Sequence, residues 1–77
     1  MPHVIIKLFH GRSEQQKIQL AETISKNVVD ITGCKERSVS VAIEEFEPEK
    51  WAEDVYKPDI LAHPEKLYKK PGYNPFE

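Results

Sequence analysis

The residue with the most unusual chemical potential is Pro2. It follows Met1, and a strand-like run, His3-Val4-Ile5-Ile6-Lys7-Leu8-Phe9, starts directly after it. An initiator Met before a small residue is commonly trimmed, so Met1 is expected to be removed. That leaves Pro2 as a free secondary amine at the mouth of a sheet. An unperturbed α-amino group titrates at roughly 7.7–8.0. Partial burial or a neighbouring cation disfavours the charged form and lowers that value. The result is a candidate general base poised near neutral pH. His3 could be a second acid or base, but a packed or hydrogen-bonded role at the sheet fits its place better. Cys34, in a helix-terminal turn with no His near it in sequence, has none of the surroundings that activate a thiolate. His3, His10, His63 and Cys34 show no paired C-x-x-C or H-x-x-x-H spacing, so no metal site is expected.

The elements that must carry Pro2 read as strand, helix, strand. Residues 2–9 place Val4, Ile6 and Leu8 on one face and His3, Ile5, Lys7 and Phe9 on the other. His10-Gly11-Arg12 is a turn, and Ser13-Glu14-Gln15-Gln16 is a capping box that starts a helix. That helix runs to about Thr32, with Ile18, Ala21, Ile24, Ser25, Val28 and Ile31 as its apolar stripe. Gly33 stands where a left-handed cap belongs. Lys35-Glu36-Arg37 is a connector, and Val39 to Phe46 is the second strand, with Val39, Val41 and Ile43 on one face. A crossover of this length makes the strands parallel and the connection right-handed. Residues 1–77 form one domain, with a core over 2–46 and a tail over 47–77. The tail holds five of the six prolines and most of the aromatics. Short helices are expected from Pro48 and from Pro64, a turn at Pro71-Gly72-Tyr73, and an extended end. So aromatic a tail is expected to pack on the sheet or on a partner chain.

Bulk properties narrow the class. A chain of 77 residues hides only about 60% of its unfolded surface and is marginal alone. One cysteine allows no internal disulfide, and with no secretory signal it points to a reducing, cytoplasmic setting. Oligomerisation is the remaining remedy. Net charge is −2, with both signs interspersed. No basic stripe of a nucleic-acid binder is present, and Lys69-Lys70 reads as a solvated end. No apolar run reaches the roughly 18 residues of a membrane span.

The opening Pro2-His3-Val4-Ile5-Ile6-Lys7, the Gly11-Arg12-Ser13-x-x-Gln16-Lys17 turn and cap, and Ser38-Val39-Ser40-Val41 on the second strand resemble the 4-oxalocrotonate tautomerase family. The resemblance covers Pro2 to about Trp51. The tail, with Lys69-Lys70-Pro71-Gly72-Tyr73, is similar to the longer bacterial members of the PptA type. The implied fold is α/β: a β-α-β, MIF-like unit whose ferredoxin-like four-stranded sheet is completed by dimerisation. The implied activity is a keto–enol tautomerase, an isomerase without cofactors. Pro2 would be the proton shuttle, Arg12 the grip on a substrate carboxylate, and Trp51 an aromatic wall that keeps the site apolar. Ser40 stands where members with two active-site arginines carry the second. That departure argues against dicarboxylates and for enols of 2-oxo monocarboxylates such as phenylenolpyruvate, with Ser40 a substrate contact. The residue chemistry agrees with these roles. Keto–enol exchange needs one base that moves a proton between oxygen and carbon, and one group that holds the substrate and stabilises enolate charge. A guanidinium grips a carboxylate through two parallel hydrogen bonds.

Geometry adds a constraint. Pro2 starts the first strand and Arg12 lies past its end, a separation of over about 20 Å at 3.3 Å per residue. If both serve one site, Arg12 comes from another subunit, and antiparallel pairing of first strands across a two-fold axis would deliver it. Ser40 can lie near Pro2 of its own chain. A homodimer is favoured over the hexamer of shorter relatives, since the tail could cover the stacking surface. Two other functions stay open. One is a hydrolytic dehalogenase or decarboxylase with the same Pro and Arg, which would need an added acid such as Glu44 or Glu45. The other is a non-catalytic oligomeric binding protein, which retention of Met1 would favour.

Overall fold

The computed structural model describes residues 1–77, in the order strand, helix, strand, helical tail. Strand β1 covers His3–Phe9 and strand β2 covers Ser40–Phe46. They pair in parallel, with His3 opposite Ser40 and Phe9 opposite Phe46. Helix α1, Glu14–Thr32, links them. Its first turn is closed by the capping box. Gln16 N–H donates to Ser13 Oγ at 3.1 Å, and Ser13 N–H donates to Gln16 Oε1 at 3.0 Å. Gly33 ends the helix at φ 76°, where its N–H reaches the Val29 carbonyl at 2.9 Å. A side chain would be strained in that left-handed conformation.

The two sheet faces have different partners. Val4, Ile6 and Leu8 of β1 share a face with Val41, Ile43 and Glu45 of β2, because register partners point the same way. This face lies toward α1, where Lys17 donates to Glu45 at 2.9 Å. The side of α1 turned to the sheet consists of Lys17, Leu20, Ala21, Ile24, Ser25, Val28 and Val29, all half-buried. Two members of the expected stripe fall outside it: Ile18 is 55% exposed and Ile31 is 84% exposed. The seam runs through residues 17, 20, 24 and 28 with 21, 25 and 29 beside them, so Leu20 and Val29 complete the apolar face while Lys17 at its start meets Glu45.

Local hydrogen bonds explain the smaller departures. The connector closes into one tight turn, Glu36–Ser38, and Val39 N–H is spent on the Glu36 carbonyl. The second strand therefore begins at Ser40 and not at Val39. In the tail a single turn, Pro48–Lys50, leads into a wide π-type helix, Ala52–Leu61, longer than the short helix expected. Pro58 lies inside it. In a regular α-helix its ring would meet the carbonyl four residues back, and widening the turn relieves that clash. Pro64 starts one turn, Pro64–Lys66. The last residues are not extended: Glu77 N–H bends back to the Asn74 carbonyl at 3.2 Å.

The tail lies on the other sheet face, the one bearing Ile5, Lys7 and Phe9. Lys7 donates to Asp59, and Trp51 packs on Phe9 and Phe46. Only two residues of 77 are buried, Val55 and Tyr56, and both belong to the tail helix. The β-α-β unit thus has no enclosed core of its own. A two-stranded sheet with one helix lacks the surface to make one.

Candidate active site

One group of residues gathers where the two strands begin. Pro2 is half-buried, and its carbonyl accepts the Ser40 N–H at 3.1 Å. His3 Nδ1 and Ser40 Oγ, facing each other in register, are 2.6 Å apart. Met1 is fully exposed. Pro2, His3 and Ser40 therefore form one small polar cluster at a sheet end.

A second group gathers where the strands finish. His10 N–H donates to the Phe46 carbonyl at 3.0 Å and closes the last rung of pairing. Gly11, at φ 124°, then turns the chain so that Arg12 folds back over the sheet end. Arg12 lines a cleft of about 420 Å³ with Lys7, Leu8, Phe9, Trp51 and Tyr73. Trp51 meets Phe9 edge-on at 5.2 Å between ring centroids and Phe46 at 6.1 Å. Its indole N–H donates to Tyr73 Oη at 2.8 Å, which fixes the ring plane.

Charge pairing singles out Arg12. Lys7 is held by Asp59, whose hydrogen bond raises the ammonium above its ordinary titration range. Lys7 also passes over the Phe46 ring, 5.9 Å from its centroid. Lys17 is held by Glu14 and then by Glu45, and is likewise raised. Arg12 makes no ion pair within the chain. It is the one cation of the aromatic cleft without a counter-ion. A guanidinium beside aromatic walls is suited to a planar carboxylate carrying an apolar substituent.

The structure thus brings Pro2 to Ser40, and Arg12 to Trp51, but sets the two pairs at opposite ends of the sheet. The gap is about 20 Å along a seven-residue strand. Glu45 is a poor acid: its hydrogen bond from Lys17, with a smaller contribution from the Gly11 backbone, holds it below the ordinary carboxylate range. Glu44 pairs in register with Lys7 on the tail face and is exposed. Cys34 is a half-buried free thiol just past α1. A larger hollow of about 590 Å³, lined by residues such as Ala21, Ser25, Val29 and Val41, holds none of these groups. It is an open concavity beside α1, and size does not make it the better site. No helix is long and apolar enough to cross a membrane.

Sequence reasoning missed Tyr73 and the pairing of Lys7 with Asp59. Both are contacts across more than twenty residues, and the only hint was the aromatic richness of the tail.

Comparison with known proteins settles the family. The model for "Tautomerase enzyme" matches residues 2–57, a span that includes Pro2, Arg12, Ser40 and Trp51. The chain belongs to the tautomerase family. Tautomerase PptA of Pectobacterium carotovorum is 39% identical over 75 residues, covering 96% of this chain and 99% of that protein. A Xylella fastidiosa protein named "Probable tautomerase" is 41% identical over 73 residues, covering 95% of this chain and 89% of its own length. Among solved structures, TomN, a 4-oxalocrotonate tautomerase homologue in the tomaymycin biosynthetic pathway, aligns with a TM-score of 0.64 and 32% identity. That alignment covers 65% of this chain and 77% of TomN. The chain is therefore an isomerase with the β-α-β tautomerase fold, in which a second copy completes the sheet.

Proposed function

We propose that this tautomerase interconverts the enol and keto forms of 2-oxo monocarboxylates with an apolar or aryl substituent, phenylenolpyruvate being the model substrate. Pro2, freed by loss of Met1, is the base. Its nitrogen lone pair takes the enol hydroxyl proton and leaves an enolate. The enolate's carbon–carbon π electrons then take that proton back from the prolinium at the adjacent carbon, and the carbonyl forms. Arg12 grips the carboxylate and stabilises the enolate charge. Trp51 and Phe9 wall the site against water, which strengthens both interactions. Ser40, held by His3, contacts the substrate from the side of Pro2. A second carboxylate would have no charged partner there and would be costly to desolvate.

One observation carries this reading: an unpaired guanidinium in an aromatic cleft, at the end of the strand that Pro2 begins. Antiparallel pairing of two β1 strands across a two-fold axis brings the start of one to the end of the other. Each site then takes Pro2, His3 and Ser40 from one chain and Arg12 with Trp51 from its partner. The tail on the Ile5, Lys7, Phe9 face favours a homodimer over a hexamer, because it occupies surface on which dimers would stack.

The experiment is an intact mass combined with a pH–rate profile on phenylenolpyruvate. Protein lacking Met1 should be active, with kcat/KM rising through a group that titrates below the ordinary α-amino range. Full activity in protein with verified, intact Met1 would eliminate the amine base, since an acylated nitrogen has no basic lone pair.

A further inference from the structure

We propose that Tyr73 is a substrate-binding residue, its hydroxyl donating to the same carboxylate that Arg12 grips. The inference rests on the reading above and extends the site into the tail, beyond residues 2–57, where the family model ends.

Donor and acceptor accounting supports it. The indole N–H of Trp51 can only donate. In the 2.8 Å contact Tyr73 Oη is therefore the acceptor. The phenolic proton points elsewhere, and no acceptor within the chain receives it. The polar neighbours in the cleft are Arg12 and Lys7, which carry protons and offer no lone pair. Tyr73 is 50% exposed, so water takes that proton in the free protein, and an anion entering the cleft beside Arg12 replaces the water as acceptor. A hydroxyl that already accepts from an N–H is also polarised toward donating its own proton.

Tyr73 is half exposed but tethered by Trp51 and Tyr56. Its ring packs against Tyr56 at a 56° tilt, 5.4 Å between centroids. Its backbone carbonyl accepts from Tyr56 Oη at 3.2 Å. Tyr56 is itself one of the two buried residues, and Phe76 meets it edge-on at 5.9 Å between centroids. The hydroxyl is thus oriented before substrate arrives, which removes an ordering cost from binding. The chain's extra length would then serve recognition as well as cover.

Tyr73→Phe keeps the ring and removes the donor. The probes are 3-phenylpropanoate and its neutral amide as competitive inhibitors of phenylenolpyruvate turnover. A hydrogen bond to a charged group is strong enough that the carboxylate should bind about tenfold more weakly to the variant. The amide should change less than about twofold, within the range of a solvent-exposed substitution. The high-pH plateau should keep the same titration midpoint, because Pro2 is untouched. Trp51→Phe supplies the control for a purely supporting role. If Tyr73 only steadies the indole, Trp51→Phe will reproduce the loss, and Tyr73→Phe will add nothing to it. That pattern overturns the proposal, as does equal weakening of acid and amide, or no change in either. Wild-type protein that turns over phenylenolpyruvate and prefers the acid, with Tyr73→Phe unchanged, removes Tyr73 alone. Wild-type protein that does neither removes the underlying reading, and the inference with it.

Discussion

The two ends of the sheet carry different chemical groups. Where the strands begin, Pro2, His3 and Ser40 are polar and lie close together, with hydrogen bonds of 2.6 Å and 3.1 Å. No guanidinium and no aromatic wall stands there. Where the strands finish, Arg12 is framed by Phe9, Trp51 and Tyr73, and the cleft lining holds no free amine, imidazole or carboxylate beside them apart from the Asp59-paired Lys7. In the proposed mechanism the first end moves the proton and the second holds the carboxylate. A β1 strand of about 20 Å separates them. On the proposed reading, catalysis and assembly are one property of this chain. The same missing strands that leave the β-α-β unit without a buried residue would, on that reading, also leave its site divided.

The largest effect should come from blocking the first end. An N-terminal extension that acylates Pro2 should lower kcat on phenylenolpyruvate by roughly 10²–10⁴, the usual worth of a positioned base. Light scattering should show the same oligomer before and after, since Pro2 keeps its carbonyl contact with Ser40. Breaking the second end comes next. Arg12→Ala should cost roughly 10–100-fold in kcat/KM, as expected for a charge-assisted bond. The loss falls mainly in KM if ground and transition states are gripped alike, and in kcat as well if Arg12 polarises the enolate. The midpoint of the pH–rate profile should not move.

Ser40→Arg sharpens the comparison by giving the first end its own cation. The ratio of kcat/KM for a dienol dicarboxylate over phenylenolpyruvate should rise several-fold, because a second carboxylate no longer enters unpaired. An unchanged ratio would show that Ser40 does not set the preference. The smallest effect belongs to the link between sheet and tail. Asp59→Asn removes the partner of Lys7, an exposed pair worth at most about 1 kcal/mol. The sign follows from the raised ammonium: its contribution is fully present below the unfolded value of 10.5 and is lost as pH climbs through the higher folded value. Denaturant midpoints of wild type and Asp59→Asn should therefore differ slightly at pH 7 and converge in strong alkali.

How much of this was legible in the sequence depended on how local each determinant was. The Ser13–Gln16 box, the Gly33 cap and the parallel β1–β2 pairing follow from short-range patterns, and the helix and first strand lie where those patterns put them. The separation of Pro2 from Arg12 was also readable, since strand geometry alone fixes it. Ile18 and Ile31 misled because both are apolar, whereas the face of α1 on the sheet includes Leu20 and Val29, and Lys17, which meets Glu45 28 residues away. Pro58 drew no reading from the sequence, and the tail helix widens around it. Tyr73 could not be singled out, because its role depends on meeting Trp51, 22 residues earlier.

Complementation between two dead variants tests the divided site most directly. N-terminally blocked chain and Arg12→Ala chain should each be nearly inactive alone. After co-refolding in equal amounts, half of the paired β1 interfaces are mixed, and each mixed pair holds one intact site. That intact site takes Pro2 from the Arg12→Ala chain and Arg12 from the blocked chain. Activity should return to about a quarter of the wild-type value per site under random pairing. Mixtures that form hybrid oligomers, verified by native mass spectrometry, yet show no more activity than the separate variants, would contradict a site shared between subunits.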